Sequence, residues 1–401
     1  MPVVQLPPEI LRLGHPTPFS LRDASGHLLV AKGVVLTSEV QRQKLISREV
    51  FVDESEGELL KRAMAGKVYS LLEQNTVLGK IAQAHPDAAD LAPSAGAKVE
   101  LNPLTAWAGL QMRCSGLLRD PAPADFLPRL QKLQHDVLEL LNSDVDLSLL
   151  VLVHAAGNEI HHYSATHALL VTVLCDLATR QLPDWTEARR ESQRCAALTM
   201  NLSMSVLQDT LALQDTVPSA QQRAQIVGHS ARAVACLSKA GVSDALWLDA
   251  VEHHHDKSPG PLAALAPALQ MGRLLERADI FAARLSSRKM RPAQSAAAAA
   301  KATYLDEHQQ ADEAGAAIIK AVGIHPPGSY VRLSSGELAL VLRRGVHAKS
   351  PKVASVISRS GTPLGEPALR DTRLRAHEVT GGVAPHEVKV RLNLEKLLKL
   401  A

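Results

Sequence analysis

The chain has 401 residues, of which 46% are apolar and 21% charged, and its formal net charge is +3. This suits a soluble globular protein of about two to three domains, and the charge is too small to argue for DNA, RNA or an anionic membrane surface as partner. Aromatic residues make up only 3%, so the core must come from Leu, Ala and Val, which favours helix over sheet.

The opening MPVVQLPPEILRLGHP has no basic stretch followed by an apolar one, so no signal peptide is expected. Residues 1–56 read as a small β-rich module. Two alternating apolar runs flank the turn residues Asp23-Ala24-Ser25-Gly26, and Gly33 separates two further short runs. Residues 57–105 read as helix followed by irregular linker, the helical pattern running from Glu54 to Leu72.

Residues 106–322 carry a helical pattern. Leu170, Leu174 and Leu177 recur at helical spacing, as do Met200, Met204, Leu207 and Leu211, and Ile226, Ala233 and Leu237. Gly241 stands where a helix-ending glycine belongs, and Pro292 precedes an alanine-rich helix at Ala296–Ala300. Cys114, Cys175, Cys195 and Cys236 all fall in helical stretches and form no CxxC pair, which reads as small buried thiols in a reducing, cytoplasmic setting. No apolar run reaches the roughly 18 residues that span a bilayer. From Gly323 to the end, residues 323–401 read as a β-rich segment. It has a hairpin turning at Ser334-Ser335-Gly336, further strands at VASVIS and VKVRLN, and a short closing helix in LEKLLKLA.

Four sites within the helical part carry the chemistry-bearing residues. His254 and His255 end a helix in AVEHHHDKSPG, where adjacent imidazoles reach one cation if the backbone turns them inward; a solvated polar helix end is the plain alternative. His229 and His167 each lie on an apolar stripe, where a polar group needs a partner, as a ligand or as a satisfied core histidine. Asp279 lies inside an Ala/Ile/Phe/Leu-rich helix and needs a cation, with Arg277 and Arg284 as ordinary partners. Together they place His and carboxylate ligands on separate helices of one bundle, a set that suits a divalent transition metal activating water.

The order of these segments resembles the HD-GYP family of bacterial metal-dependent phosphodiesterases, which hydrolyse cyclic di-GMP. The resemblance covers roughly residues 155–345 and runs through YSATHALLVTVLCDLA, IVGHSARAVACLSKAGVSDALWLDAVEHHHD, RADIFAARLSSRKMRP and GIHPPGSYVRLSSGELALVLRRG. It implies a mainly α protein, an HD-type helical bundle flanked by the small N-terminal β-rich unit and the C-terminal β-rich segment. It also implies His167, His229, His254, His255 and Asp279 as metal ligands, and Arg288, Lys289 and Arg291 as contacts to substrate phosphates. His167 and Asp279 are the candidates for orienting the attacking water.

The departures weigh as much. Met200 and Asn201 stand where the family has its His-Asp dyad, and Met204 where it usually has lysine. DKSPGPLAALAP replaces the Gly-Tyr-Pro motif, and Tyr163 occupies a place where some members supply an acidic residue. The literal pair His135-Asp136 precedes His167 and lies in an ordinary amphipathic pattern, so it reads as a decoy. Asn201 offers only a neutral carbonyl oxygen, a poor bridge between two dications. The expectation is therefore one ion (Fe, Mn or Zn) rather than two or three, held by His229, His254 and His255.

Three readings follow from the residues and the resemblance. One is a degenerate signalling protein that binds cyclic di-GMP, a related nucleotide or a signalling partner with weak or no hydrolysis. Another is a cyclic di-GMP phosphodiesterase, a phosphoric diester hydrolase, working with a reduced metal site. The third keeps the scaffold alone, without metal or nucleotide.

Overall fold

A computed structural model describes most of residues 3–53 (7–9, 12, 15–16, 18, 25–26 and 32–33 excepted), residues 57 and 67, and 102–401 apart from 122–123, 258–259, 307, 346 and 348–349. The expected helix from Glu54 to Leu72, the linker after it, and Gly33 lie almost wholly outside the described residues. The chain divides into two compact units, 1–100 and 101–401.

In the first unit, β1 (Val3–Gln5), β2 (Leu21–Arg22), β3 (Leu28–Val30) and β4 (Phe51–Asp53) form an antiparallel sheet in the order β1-β4-β2-β3. Its alternating residues Leu21 and Val52 join Leu6, Leu11, Phe19 and Val50 in a small core. The helix α1 (Glu39–Ile46) is capped by Ser38, whose hydroxyl accepts from the Val40 amide.

The second unit is the expected helical bundle, followed by a sheet. Its helices are α2 (Pro103–Arg119), α3 (Phe126–Ser143), α4 (Val145–Asn158), α5 (Tyr163–Thr179), α6 (Glu187–Thr199), α7 (Ser205–Leu213), α8 (Ala220–Val227), α9 (His229–Lys239), α10 (Ala245–Glu252), α11 (Pro267–Leu285), α12 (Ala296–Tyr304) and α13 (Glu313–Val322). Every residue of α5 is buried, as its nearly continuous apolar sequence requires. Helices α2, α4, α6, α11 and α13 pack around it. Several of its polar groups find partners: Thr172 donates to the Ala168 carbonyl, and Asp176 pairs with Arg180 and with Arg194 of α6. Burying each of its Leu and Val side chains contributes roughly 1.5–3 kcal/mol. The thiols of Cys114, Cys175 and Cys195 are buried on helices, and burial pushes each up to about 12.

Two helical stretches read as continuous are broken. Between α6 and α7, residues 202–204 form a 3-10 turn, so Met200 ends α6 while Met204, Leu207 and Leu211 are only half-buried. Between α8 and α9, Gly228 interrupts the run from Ile226 to Ala233, and His229 becomes the first residue of a new helix.

The C-terminal sheet holds β5 (Tyr330–Leu333), β6 (Leu338–Arg343), β7 (Lys352–Ile357), β8 (Pro363–Asp371) and β9 (Val379–Val383) in the antiparallel order β8-β7-β6-β5-β9. The hairpin turns at Gly336, with φ at +88°, as expected. The VKVRLN segment is not a strand; it runs beside the sheet's core and leads into α14 (Leu394–Leu400). The sheet is tied to the bundle by Arg343 on Asp144 at 2.7 Å and Arg344 on Asp146 at 2.5 Å. Gly328, at φ +89°, lies so close to α4 that a Cβ there would meet the Leu150 carbonyl oxygen at 2.5 Å.

Candidate metal centre

Two helix ends build the centre. The His229 ring, at the start of α9, donates its Nδ1 proton to the Ile226 carbonyl at 2.6 Å. The His254 ring, just past α10, donates its own to the Val251 carbonyl at 2.6 Å. A carbonyl only accepts, so both Nε2 atoms carry lone pairs, and they face each other at 3.1 Å. Two acceptors cannot bond to one another. Protonating one is disfavoured: burial holds His229 below the usual imidazole range and pushes His254 down to about 3.

A cation resolves this conflict. Two nitrogens at about 2.0–2.1 Å from one tetrahedral ion stand about 3.3 Å apart, and metal-binding histidines commonly place their other N–H on a backbone carbonyl. The more exposed His255 completes the group. Its ring centroid lies 4.1 Å from His254 and 5.0 Å from His229, and the ligand atoms of all three lie within 4.8 Å of one another. Gly272 of α11 permits the close packing, since a Cβ there would sit 3.1 Å from the His253 carbonyl oxygen. His253 turns away, onto Asp256 at 2.6 Å.

His167 and Asp279 pair with each other, Nε2 to Oδ1 at 2.7 Å, where α5 meets α11. Burial alone would raise the carboxyl. The His167 hydrogen bond, with the neighbouring imidazoles of His254 and His255, outweighs it and holds Asp279 down at about 2. The ordinary partners are engaged elsewhere: Arg277 with Asp312 at 3.3 Å and Arg284 with Gln294 at 3.2 Å. The structure thus forms a histidine triad and a hydrogen-bonded His167–Asp279 pair, near enough for the Asp279 charge to bear on His229 and His254. A groove of about 890 Å³ opens beside the triad, lined by His255, His253, Asp249, Asp256, Lys257 and Leu265 among others.

Met200 is 1% exposed and belongs to the apolar core. Asn201 is 8% exposed and starts the turn that abuts α9, where the Ser203 hydroxyl donates to the His229 carbonyl at 2.8 Å. His135 and Asp136 lie on an outer face of α3, where Asp136 is held by Arg113 at 2.6 Å and Lys132 at 2.8 Å.

Arg288, Lys289 and Arg291 follow α11. Lys289 pairs with Asp215 at 2.9 Å. Arg288 reaches back to Tyr163, its Nη2 donating to the phenol oxygen at 2.6 Å and its guanidinium carbon 4.7 Å from the ring centre. Tyr163 in turn stacks on His167, with centroids 5.7 Å apart and planes 10° off parallel. The sequence marked Tyr163 only as a departure; its spacing of four from His167 on one helix was the available sign of contact.

No protein-family model matches the chain. A cyclic di-GMP phosphodiesterase of Pseudomonas aeruginosa is 30% identical over 159 residues, which is 38% of this chain and 38% of that protein. A solved structure from Bdellovibrio bacteriovorus, described as an HDG"Y"P protein, aligns with 80% of this chain and 99% of that chain at 11% identity, with a TM-score of 0.43. The first relative's named activity is the one that the HD-GYP resemblance implies. Among the described residues no helix is long and apolar enough to cross a membrane.

Proposed function

We propose that this chain is a degenerate HD-GYP-type signalling protein that binds a cyclic dinucleotide such as cyclic di-GMP at a one-metal site and hydrolyses it weakly or not at all. The observation that carries this reading is the pair of buried acceptor nitrogens on His229 and His254, 3.1 Å apart, beside a segment that supplies Asn201 and Met200 in place of a dyad. His229, His254 and His255 would hold a divalent Fe, Mn or Zn ion, which when bound supplies a Lewis acid and lowers the pKa of a water. The His167–Asp279 pair would orient groups at that point by hydrogen bonding and charge, and Arg288 and Arg291 would hold phosphate oxygens. Asn201, being neutral, cannot bridge a second dication, so the two-ion clamp on an in-line displacement is missing.

The competing reading, a phosphodiesterase working with this reduced site, is favoured by the identity to the Pseudomonas enzyme. Calorimetric titration with cyclic di-GMP and a turnover assay on the same metal-loaded protein separate the two. Binding without product supports the degenerate reading. Product that disappears in both His254→Ala and His255→Ala would establish the enzyme. Absence of binding by the loaded protein would reject both.

A further inference from the structure

Arg288 and Arg291 face one another across a short backbone bridge, with Arg288 N to Arg291 O at 2.9 Å and Arg291 N to Arg288 O at 3.0 Å. Residues directly opposite in such a bridge project to the same side, and like charges there repel. Neither arginine has a carboxylate ion-pair partner among the described residues. Arg291 donates to the Ala283 carbonyl, and Arg288 has a single side-chain bond, to Tyr163, while its Nε is buried without a partner. The nearby carboxylate, Asp279, is already bonded to His167. Two arginines are therefore held together beside the Tyr163–His167 stack with no carboxylate bonded to either among the described residues. An arrangement of that kind becomes favourable when an oxyanion sits between them.

We propose that Tyr163 is a positioning residue for phosphate: its hydroxyl and ring face fix Arg288 opposite Arg291 as a preformed oxyanion cradle next to the His167–Asp279 pair. The inference rests on the phosphodiester reading above, and it gives the replaced acidic position a role in anion binding rather than metal binding. Tyr163 is 3% exposed and packed on His167, so its hydroxyl direction is fixed by the core. A guanidinium anchored through one Nη keeps the remaining fork available, and holding its rotamers beforehand removes part of the ordering cost of binding.

The test uses the full-length, metal-loaded protein and two probes, inorganic phosphate and cyclic di-GMP, titrated into wild type, Tyr163→Phe, Arg288→Lys and the double variant. Tyr163→Phe keeps the stack and removes only the hydroxyl. It should weaken both probes roughly five- to thirtyfold with metal content and melting temperature unchanged. Arg288→Lys should weaken them as much, because an ammonium cannot reproduce the fork, and the double variant should lose no more than the worse single one. The proposal is overturned if Tyr163→Phe binds phosphate as wild type does while Arg288→Lys does not, or if the two losses multiply. It is equally overturned if Tyr163→Phe loses metal or melts markedly lower, which would make its role structural. A Tyr163→Phe variant that does not fold overturns the positioning role in the same way, and unchanged phosphate affinity in Arg288→Lys overturns the cradle itself. Wild type that binds phosphate but no cyclic di-GMP would sink the nucleotide reading and leave the cradle standing.

Discussion

His229 and His254 present two lone pairs to each other across 3.1 Å, each having given its ring proton to a backbone carbonyl. Without a cation the contact is between two acceptors in a buried place, an arrangement that costs free energy. The backbone of two different helix ends imposes it, so it is a property of the fold rather than of one mobile side chain. His255 adds a third nitrogen from the exposed side, which leaves room for a water or a substrate oxygen.

Asp279 is bonded to His167 and lies near enough for its charge to bear on His229 and His254. Replacing Asp279→Asn removes the charge that the imidazoles feel and leaves His167 without its acceptor. Metal affinity should fall about 10- to 100-fold, with the helical circular dichroism retained. Titration against a competing chelator measures it; an unchanged affinity would place the pair outside the centre's influence.

Restoring the dyad tests the proposed cause of weak or absent hydrolysis. Met200→His with Asn201→Asp should raise the number of ions bound per chain and increase cyclic di-GMP turnover, because a carboxylate can bridge where Asn201 cannot. Met200 is part of the core, so the double variant should also lose stability, by roughly 1–3 kcal/mol. If ion count and turnover both stay at the wild-type level, the missing dyad is not what limits the site.

His154 gives the fold a pH dependence away from the candidate centre. It lies on α4 against Tyr330, its ring centroid 6.4 Å from the phenol's, and burial pushes it down to about 4. The unfolded chain takes up this proton below the ordinary histidine value of about 6.5, while the folded one does so only near 4. Its contribution is therefore present at neutral pH and lost as pH falls between those values, by at most about 1.4 kcal/mol per pH unit. Denaturant melts at pH 7 and pH 5 should differ less in His154→Phe than in wild type; an equal difference would show that His154 does not titrate on unfolding.

Gly328 sets how closely the C-terminal sheet approaches the bundle. Gly328→Ala must adopt a positive φ and place its Cβ against the Leu150 carbonyl. A loss of about 2 kcal/mol or more is expected, read as a lower urea midpoint with the slope unchanged.

Much of this was legible from residue type and order. The buried thiols of Cys114, Cys175 and Cys195, the Gly336 hairpin, the closing helix and the clustering of the three histidines could be read because each depends on local pattern, whereas Cys236, expected buried, is half-buried. The breaks at residues 200–204 and at Gly228 could not. Apolar residues keep helical spacing across both, so the pattern hides the turn at residues 202–204 and the end of α8 at Gly228, which the Ser203 hydroxyl on the His229 carbonyl links. VKVRLN alternates correctly, with Val388 buried and Val390 and Leu392 packed on the core, but it finds no strand partner. Strands β8 and β9 escaped notice because the first is largely exposed at a sheet edge and the second contains Gly381 and Gly382. The His167–Asp279 pairing was likewise hidden, since Arg277 and Arg284 were nearer in sequence.

The proposed chemistry depends on one ion held by His229, His254 and His255. Elemental analysis of protein purified without chelator, alongside His229→Ala and His254→Ala, tests it most directly. Close to one Fe, Mn or Zn per chain is expected in the wild type and almost none in either variant. A wild type that carries no transition metal, and shows no thermal shift with Mn, Fe or Zn, would contradict it.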